Sequence, residues 1–151
     1  MGLDNGIVVT KINIDDVPKY LRSHIEERDQ YDEVKGDDNG GITFAKNGKK
    51  EYEFCYWRKC WGIRNGILGV VQAELYGDKY DFILEPKDLQ NIIEKVIIPF
   101  LDSDKWEEDG ASIWSFDEMA EHLAWDVIVL AWLAEYAKDH PEIEVKFYDS
   151  Y

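Results

Sequence analysis

Residues 42–66 read ITFAKNGKKEYEFCYWRKCWGIRNG, from Ile42 to Gly66, and they carry strand and helix signals side by side. Asn47-Gly48 lies between two strand-like runs. A type I′ turn needs positive φ at both central residues, which Asn and Gly tolerate, so the pattern predicts a hairpin with its tip at these two residues. On the second strand Tyr52, Phe54 and Tyr56 share one face, with Glu51, Glu53 and Cys55 on the other. After Trp57 the period changes. From Trp57 to about Val71, Cys60, Trp61, Ile63, Ile67 and Leu68 fall with Trp57 on one half of a helical wheel, and Arg58, Lys59, Asn65 and glycines on the other. A strand running directly into a helix points to a mixed fold.

The flanking segments extend this pattern. IVVTKINI (Ile7 to Ile14) is β-branched and partly alternating, and reads as a strand. DDVPKYLRSHIEE predicts a helix capped by Asp15 or Asp16, with Val17, Tyr20, Leu21, His24 and Ile25 at helical spacing. RDQYDEVKGDDNGGI is polar and Gly-rich, and reads as a loop. ELYGDKYDFILE predicts one or two short strands. PKDLQNIIEKVIIPFL predicts a helix begun by Pro86 and kinked or ended by Pro99. Ser115 with Glu118 forms a capping box, and Trp114 with Met119 a hydrophobic staple, for a helix reaching about Ala137 or Lys138. EIEVKFYDSY closes the chain as a strand. With no repeat or linker, the expectation is one α+β domain over residues 1–151: a small, mostly antiparallel sheet with about four helices packed on it.

The chain has 151 residues and a formal net charge of −15, with 45% hydrophobic and 14% aromatic content, enough for a sizeable core. Such acidity repels phosphate backbones and argues against direct nucleic-acid binding. The most apolar run, HLAWDVIVLAWLAEY, is too short to span a membrane and contains Asp126, so it reads as a buried helix. Cys55 and Cys60 match neither a redox nor a zinc spacing, and the start lacks a signal-peptide pattern. The expected setting is a reducing cytoplasm with free thiols.

Two residues break their helical patterns. Arg64 falls in the middle of the apolar half of its wheel, and Asp126 sits among Met119, Leu123, Leu130 and Leu133. A buried guanidinium needs an acid or a ligand anion, and a buried carboxylate needs a partner. Arg64 with Asp126 is therefore the expected internal ion pair, with Asp4 a second candidate acid. Glu118, His122 and Asp126 form a single helical stripe without a partner stripe. No metal site, cofactor motif, catalytic triad or phosphate loop is present. Charge is uneven: Lys46 to Arg64 carries six cations and two acids, whereas Leu101 to Asp126 carries nine acids and one cation. Tyr56, Trp57, Arg58, Lys59, Trp61 and Arg64 thus form a candidate site for a nucleotide-like anion. Asp102, Asp104, Glu107, Glu108 and Asp109 form a candidate acidic surface for a protein partner.

The start MGLD, the segment EYEFCYWRKCWGIRNGI and the end VKFYDSY together resemble a family of small uncharacterised bacteriophage and prophage proteins. Those begin Met-Gly-Leu-Asp and carry a Tyr-Trp-Arg-Lys segment followed by an Ile-His pair. Met1 to Asp4, Tyr56 to Lys59 and Ile63 match, but Arg64 stands where the pattern has His, which argues against proton transfer there. The resemblance implies a phage or mobile-element origin and an infected bacterial cytoplasm, and it implies no activity. The leading expectation is a non-enzymatic accessory protein that binds a host protein, blocking a defence or nucleic-acid-handling enzyme. The alternatives are a small-anion binder, or weak enzyme, using the basic aromatic cluster, and an oligomeric protein in which the helix Met119 to Tyr136 hides a dimer face.

Overall fold

A computed structural model of the chain describes residues 4–36, 40–58, 60–71, 81–102 and 116–150. It is a single antiparallel five-stranded sheet with helices on one face, the expected α+β class. The strands are β1 (Asp4–Thr10), β2 (Glu26–Lys35), β3 (Ile42–Arg58), β4 (Asp81–Ile83) and β5 (Glu144–Ser150), in the order β2-β3-β1-β5-β4. The helices are α1 (Lys19–Arg22), α2 (Trp61–Val70), α3 (Pro86–Ile92), α4 (Ile98–Asp102) and α5 (Phe116–Asp139).

Strand alternation sorts the two sheet faces. Ile7, Val9, Val145 and Phe147 point into the core beneath the helices, joined there by Leu123, Leu130 and Leu133 of α5. The other face is largely polar. On it Tyr148 crosses above Gly6 to donate its hydroxyl to Glu53 at 2.6 Å, and Arg28 meets Glu53 at 2.5 Å. A Cβ on Gly6 would lie 2.6 Å from the Tyr148 ring and from the Cys55 carbonyl, so this position requires glycine.

Several expectations are corrected. Asn47-Gly48 is no hairpin tip. β3 is one continuous strand, and Gln30 of β2 faces Asn47 to Lys49 across an irregularity in the register. Gly48 has φ 80° there, so the glycine signal marks a bulge rather than a turn. Residues 28–35 of the predicted loop, which spans 28–42, form most of β2. This strand has no apolar face because the ribbon it forms with β3 is exposed on both sides over most of its length. Cross-strand pairs hold it, with Asp29 bridging Lys46 at 3.2 Å and Lys50.

The first predicted strand ends at Thr10, where Lys11 takes φ 62°. The helix expected after it shrinks to a 3-10 turn, Ile14–Asp16, and the single turn of α1. Asn13, not Asp15 or Asp16, supplies the cap, accepting from the Asp15 N–H at 3.1 Å. Helix α2 starts at Trp61, so Trp57 belongs to β3. Pro99 does not end its helix. α3 widens into a π-helical stretch, Ile93–Ile97, in which the Ile98 N–H bonds to the Ile93 carbonyl, and then continues as α4. The wider turn relieves the clash between a proline ring and the carbonyl four residues before it. Ser115 and Trp114 lie outside the described residues; α5 begins at Phe116 and ends at Asp139. No helix among the described residues is long and apolar enough to cross a membrane.

Candidate functional site

β2 parts from β3 at the Glu26–Glu53 pair, so no strand among the described residues covers the outer edge of β3 from Phe54 onward. The first half of α5 lies along that edge. His122 contacts the Tyr56 carbonyl through Nε2 at 2.9 Å. A bulge tightens the junction. Ile7 pairs with Cys55 but Val8 pairs with Glu53, leaving Phe54 as the extra residue. Consecutive residues Phe54 and Cys55 are both buried on the helix side, so the strict alternation expected for this strand fails here. Phe54 stacks on Trp132 of α5, and Cys55 lies beside Asp126.

Asp126 is the polar centre of this junction, only 4% exposed. Its Oδ2 accepts from Trp57 Nε1 at 2.8 Å and lies 3.6 Å from His122 Nε2. Burial raises its pKa to about 6, partly opposed by His122, by the hydrogen bond from Trp57 and by the adjacent Cys55 thiol. The two thiols respond in the same sense. Burial and then the nearby Asp126 push Cys55 well above its usual value and Cys60 up to about 12. Both are protonated at neutral pH, the opposite of an activated nucleophile.

Above Asp126 opens a cleft of about 360 Å³. One wall is Trp125 with the His24 ring stacked on it, centroids 3.9 Å apart. Glu26, Glu118 and Glu121 border it, and no Lys or Arg lines it among the described residues. Glu53 also reaches the rim, but Arg28 and Tyr148 hold it. Among the described residues no group of His, Cys, Asp and Glu side chains is arranged to hold a metal ion.

The expected Arg64–Asp126 pair does not form. Arg64 pairs instead with Asp149 of β5 in a two-pronged contact, Nε to Oδ1 and Nη2 to Oδ2, both 2.8 Å. Asn5 adds a third donor to Asp149 Oδ1 at 2.5 Å. The other candidate acid, Asp4, accepts the Tyr56 hydroxyl at 2.7 Å. Asp126 and Asp149 both lie beneath the helices, but Asp126 faces β3 and Asp149 faces α2, a distinction only the packing makes.

The five described residues of the candidate anion site do not converge on one cavity. Trp57 is fully buried against Asp126, Tyr56 is tied to Asp4, and Arg58 is exposed. Trp61 is 44% exposed, with the Arg64 guanidinium 5.5 Å from its ring. Lys59 lies outside the described residues. So do Asp104, Glu107, Glu108 and Asp109 of the candidate acidic surface, whereas Asp102 is exposed at the end of α4.

Sequence inspection missed Asp149 and the His24–Trp125 wall. Alternation from Val145 through Phe147 places Asp149 inward, so that residue had a signal. The His24–Trp125 stack joins residues far apart in the chain and had none. No family model, curated protein or solved structure matches the chain.

Proposed function

We propose that this chain is a non-enzymatic accessory protein, phage-encoded as its resemblance implies, that acts by binding a protein partner, and that the cleft between β3 and α5 receives a basic side chain of that partner. One observation carries this reading: a concave site bordered by Glu26, Glu118, Glu121 and Asp126, with an aromatic wall and no lining Lys or Arg among the described residues. A cation entering it meets several carboxylates at once beside the stacked His24 and Trp125 rings, which favours Lys or Arg over neutral side chains. The net charge of −15 draws a basic partner in from a distance. Inhibition of a host defence or nucleic-acid-handling enzyme is the consequence we propose for such binding, since those enzymes carry basic grooves.

The small-anion alternative draws less support, because its five described residues lie in separate places. A thiol-based enzyme draws less still, because burial keeps both thiols protonated.

The test is fluorescence titration of Trp125 with an arginine-rich peptide and with a glutamate-rich peptide of equal length. We expect saturable binding of the first only, weakened at least tenfold by Glu118→Lys with Glu121→Lys. Equal response to both peptides, or indifference to the double substitution, rejects the cleft. Capture from phage-infected lysate then identifies the partner. Charge reversal at Asp102, Asp104, Glu107, Glu108 and Asp109 asks separately whether that run contributes; unchanged binding and salt dependence remove it from the interface.

A further inference from the structure

The outward face of α5 carries an uncharged stretch. Glu121, Ala124, Ile128, Ala131, Glu135 and Lys138 are all exposed, and they recur at alternating spacings of three and four. That spacing forms one straight seam along a helix, the pattern by which a second helix is received. In a chain that is 32% charged, the middle of this seam has no charge: Ala124, Ile128 and Ala131 face solvent with half-buried Val127 beside them. The one charged residue between Glu121 and Glu135 besides half-buried His122 is Asp126, which is buried on the opposite side. Ile128 alone leaves 43% of its surface in water.

We propose that this seam is the interface of a homodimer in which two copies of α5 pack antiparallel. The second copy is the fitting occupant because the seam complements itself in that register and in no parallel one. Set antiparallel, Ile128 of each copy lies over Ala131 of the other, large against small. Glu121 meets Lys138 of the second copy at both ends. Ala124 receives the stem of Glu135. The alanines let the axes approach to about 8–10 Å. A parallel arrangement would oppose each residue to itself, setting Glu121 on Glu121 and Lys138 on Lys138, with the two helix dipoles side by side. A two-fold axis makes the antiparallel contact closed, so assembly stops at two. The dimer also brings Lys138 of the second copy beside Glu121, at the border of the cleft, and it does not depend on what the cleft binds.

Sedimentation equilibrium of the full chain, from about 1 to 200 µM, tests this. We expect a reversible species of twice the 17.7 kDa chain mass. Ile128→Lys should weaken association at least tenfold while leaving the circular dichroism spectrum and melting temperature of the monomer in place, because the side chain is exposed. Glu121→Lys alone should weaken it by about two- to fivefold, the range of exposed ion pairs, and adding Lys138→Glu should restore it. Under mild oxidation, Ile128→Cys with Ala131→Cys should give a covalent dimer. A chain that stays monomeric throughout, or an Ile128→Lys variant that dimerises as tightly as wild type, overturns the interface. A paired charge exchange that fails to restore association overturns the antiparallel register.

Discussion

Asp126 is held between β3 and α5 by donors that do not fully compensate its burial. Its folded pKa of about 6 lies above the unfolded value near 3.9, so protonation favours the folded state. That contribution is fully present below about pH 4 and is lost as pH rises through about 6. The magnitude is on the order of 2–3 kcal/mol. Asp126→Asn keeps an acceptor for Trp57 Nε1 and removes the charge. Thermal melts of wild type and Asp126→Asn from pH 4 to pH 8 should therefore diverge, with the variant gaining relative stability as pH rises. A stability difference that stays constant with pH would count against the raised pKa.

Arg64 and Asp149 present the opposite case, a buried pair with every donor well placed. Their side chains are 11% and 8% exposed. Arg64→Met alone strands a buried carboxylate and should cost about 3–5 kcal/mol in urea unfolding. Asp149→Leu in the same background should recover part of that loss, and a coupling energy near zero in the double-mutant cycle would show that the pair is not coupled. Arg64 was legible as an anomaly from its place on the wheel. Its partner was not, because a helical projection carries no information about which strand lies below.

At the scale of elements, β3 has two regimes. From Glu51 to Arg58 it lies beside β1 with α5 above it; from Ile42 to Lys50 its only strand partner among the described residues is β2. The outer ribbon exposes Tyr31, Ile42 and Phe44, the last at 66%. A two-stranded ribbon alone is marginal in water. Amides of residues 31–34 and 42–46 should exchange with deuterium at least a hundredfold faster than those of Tyr52 to Trp57, measured at neutral pH. Uniform protection along β3 would mean the ribbon is held by something beyond its own pairing. The missed strand β2 belongs here as well. Alternation is visible only where one face of a strand is buried, and residues 26–35 run mostly through solvent. The same reasoning explains α1, whose apolar spacing continued past the single turn that the structure forms.

For the whole molecule, net charge sets the conditions under which these contacts operate. A chain at −15 repels itself when compact. Raising salt from about 0.01 M to 0.1 M shortens the screening length from about 30 Å to about 10 Å. The melting temperature should therefore rise over that range, even though the exposed Lys46 and Lys50 contacts to Asp29 weaken. A falling melting temperature would show that surface pairing outweighs general repulsion. The amino-acid sequence alone determined the α+β class, α5 and α2 from their 3.6-residue period, and β5 from its alternation. These depend on neighbours within a few residues. Tertiary structure decided the rest: that Asn47-Gly48 bulges instead of turning, that Arg64 meets Asp149 while Asp126 meets Trp57, and that His24, Glu26 and α5 enclose a cleft. Each of these is a choice among distant partners made by packing, where the burial of one side chain settles which charge its neighbour must satisfy.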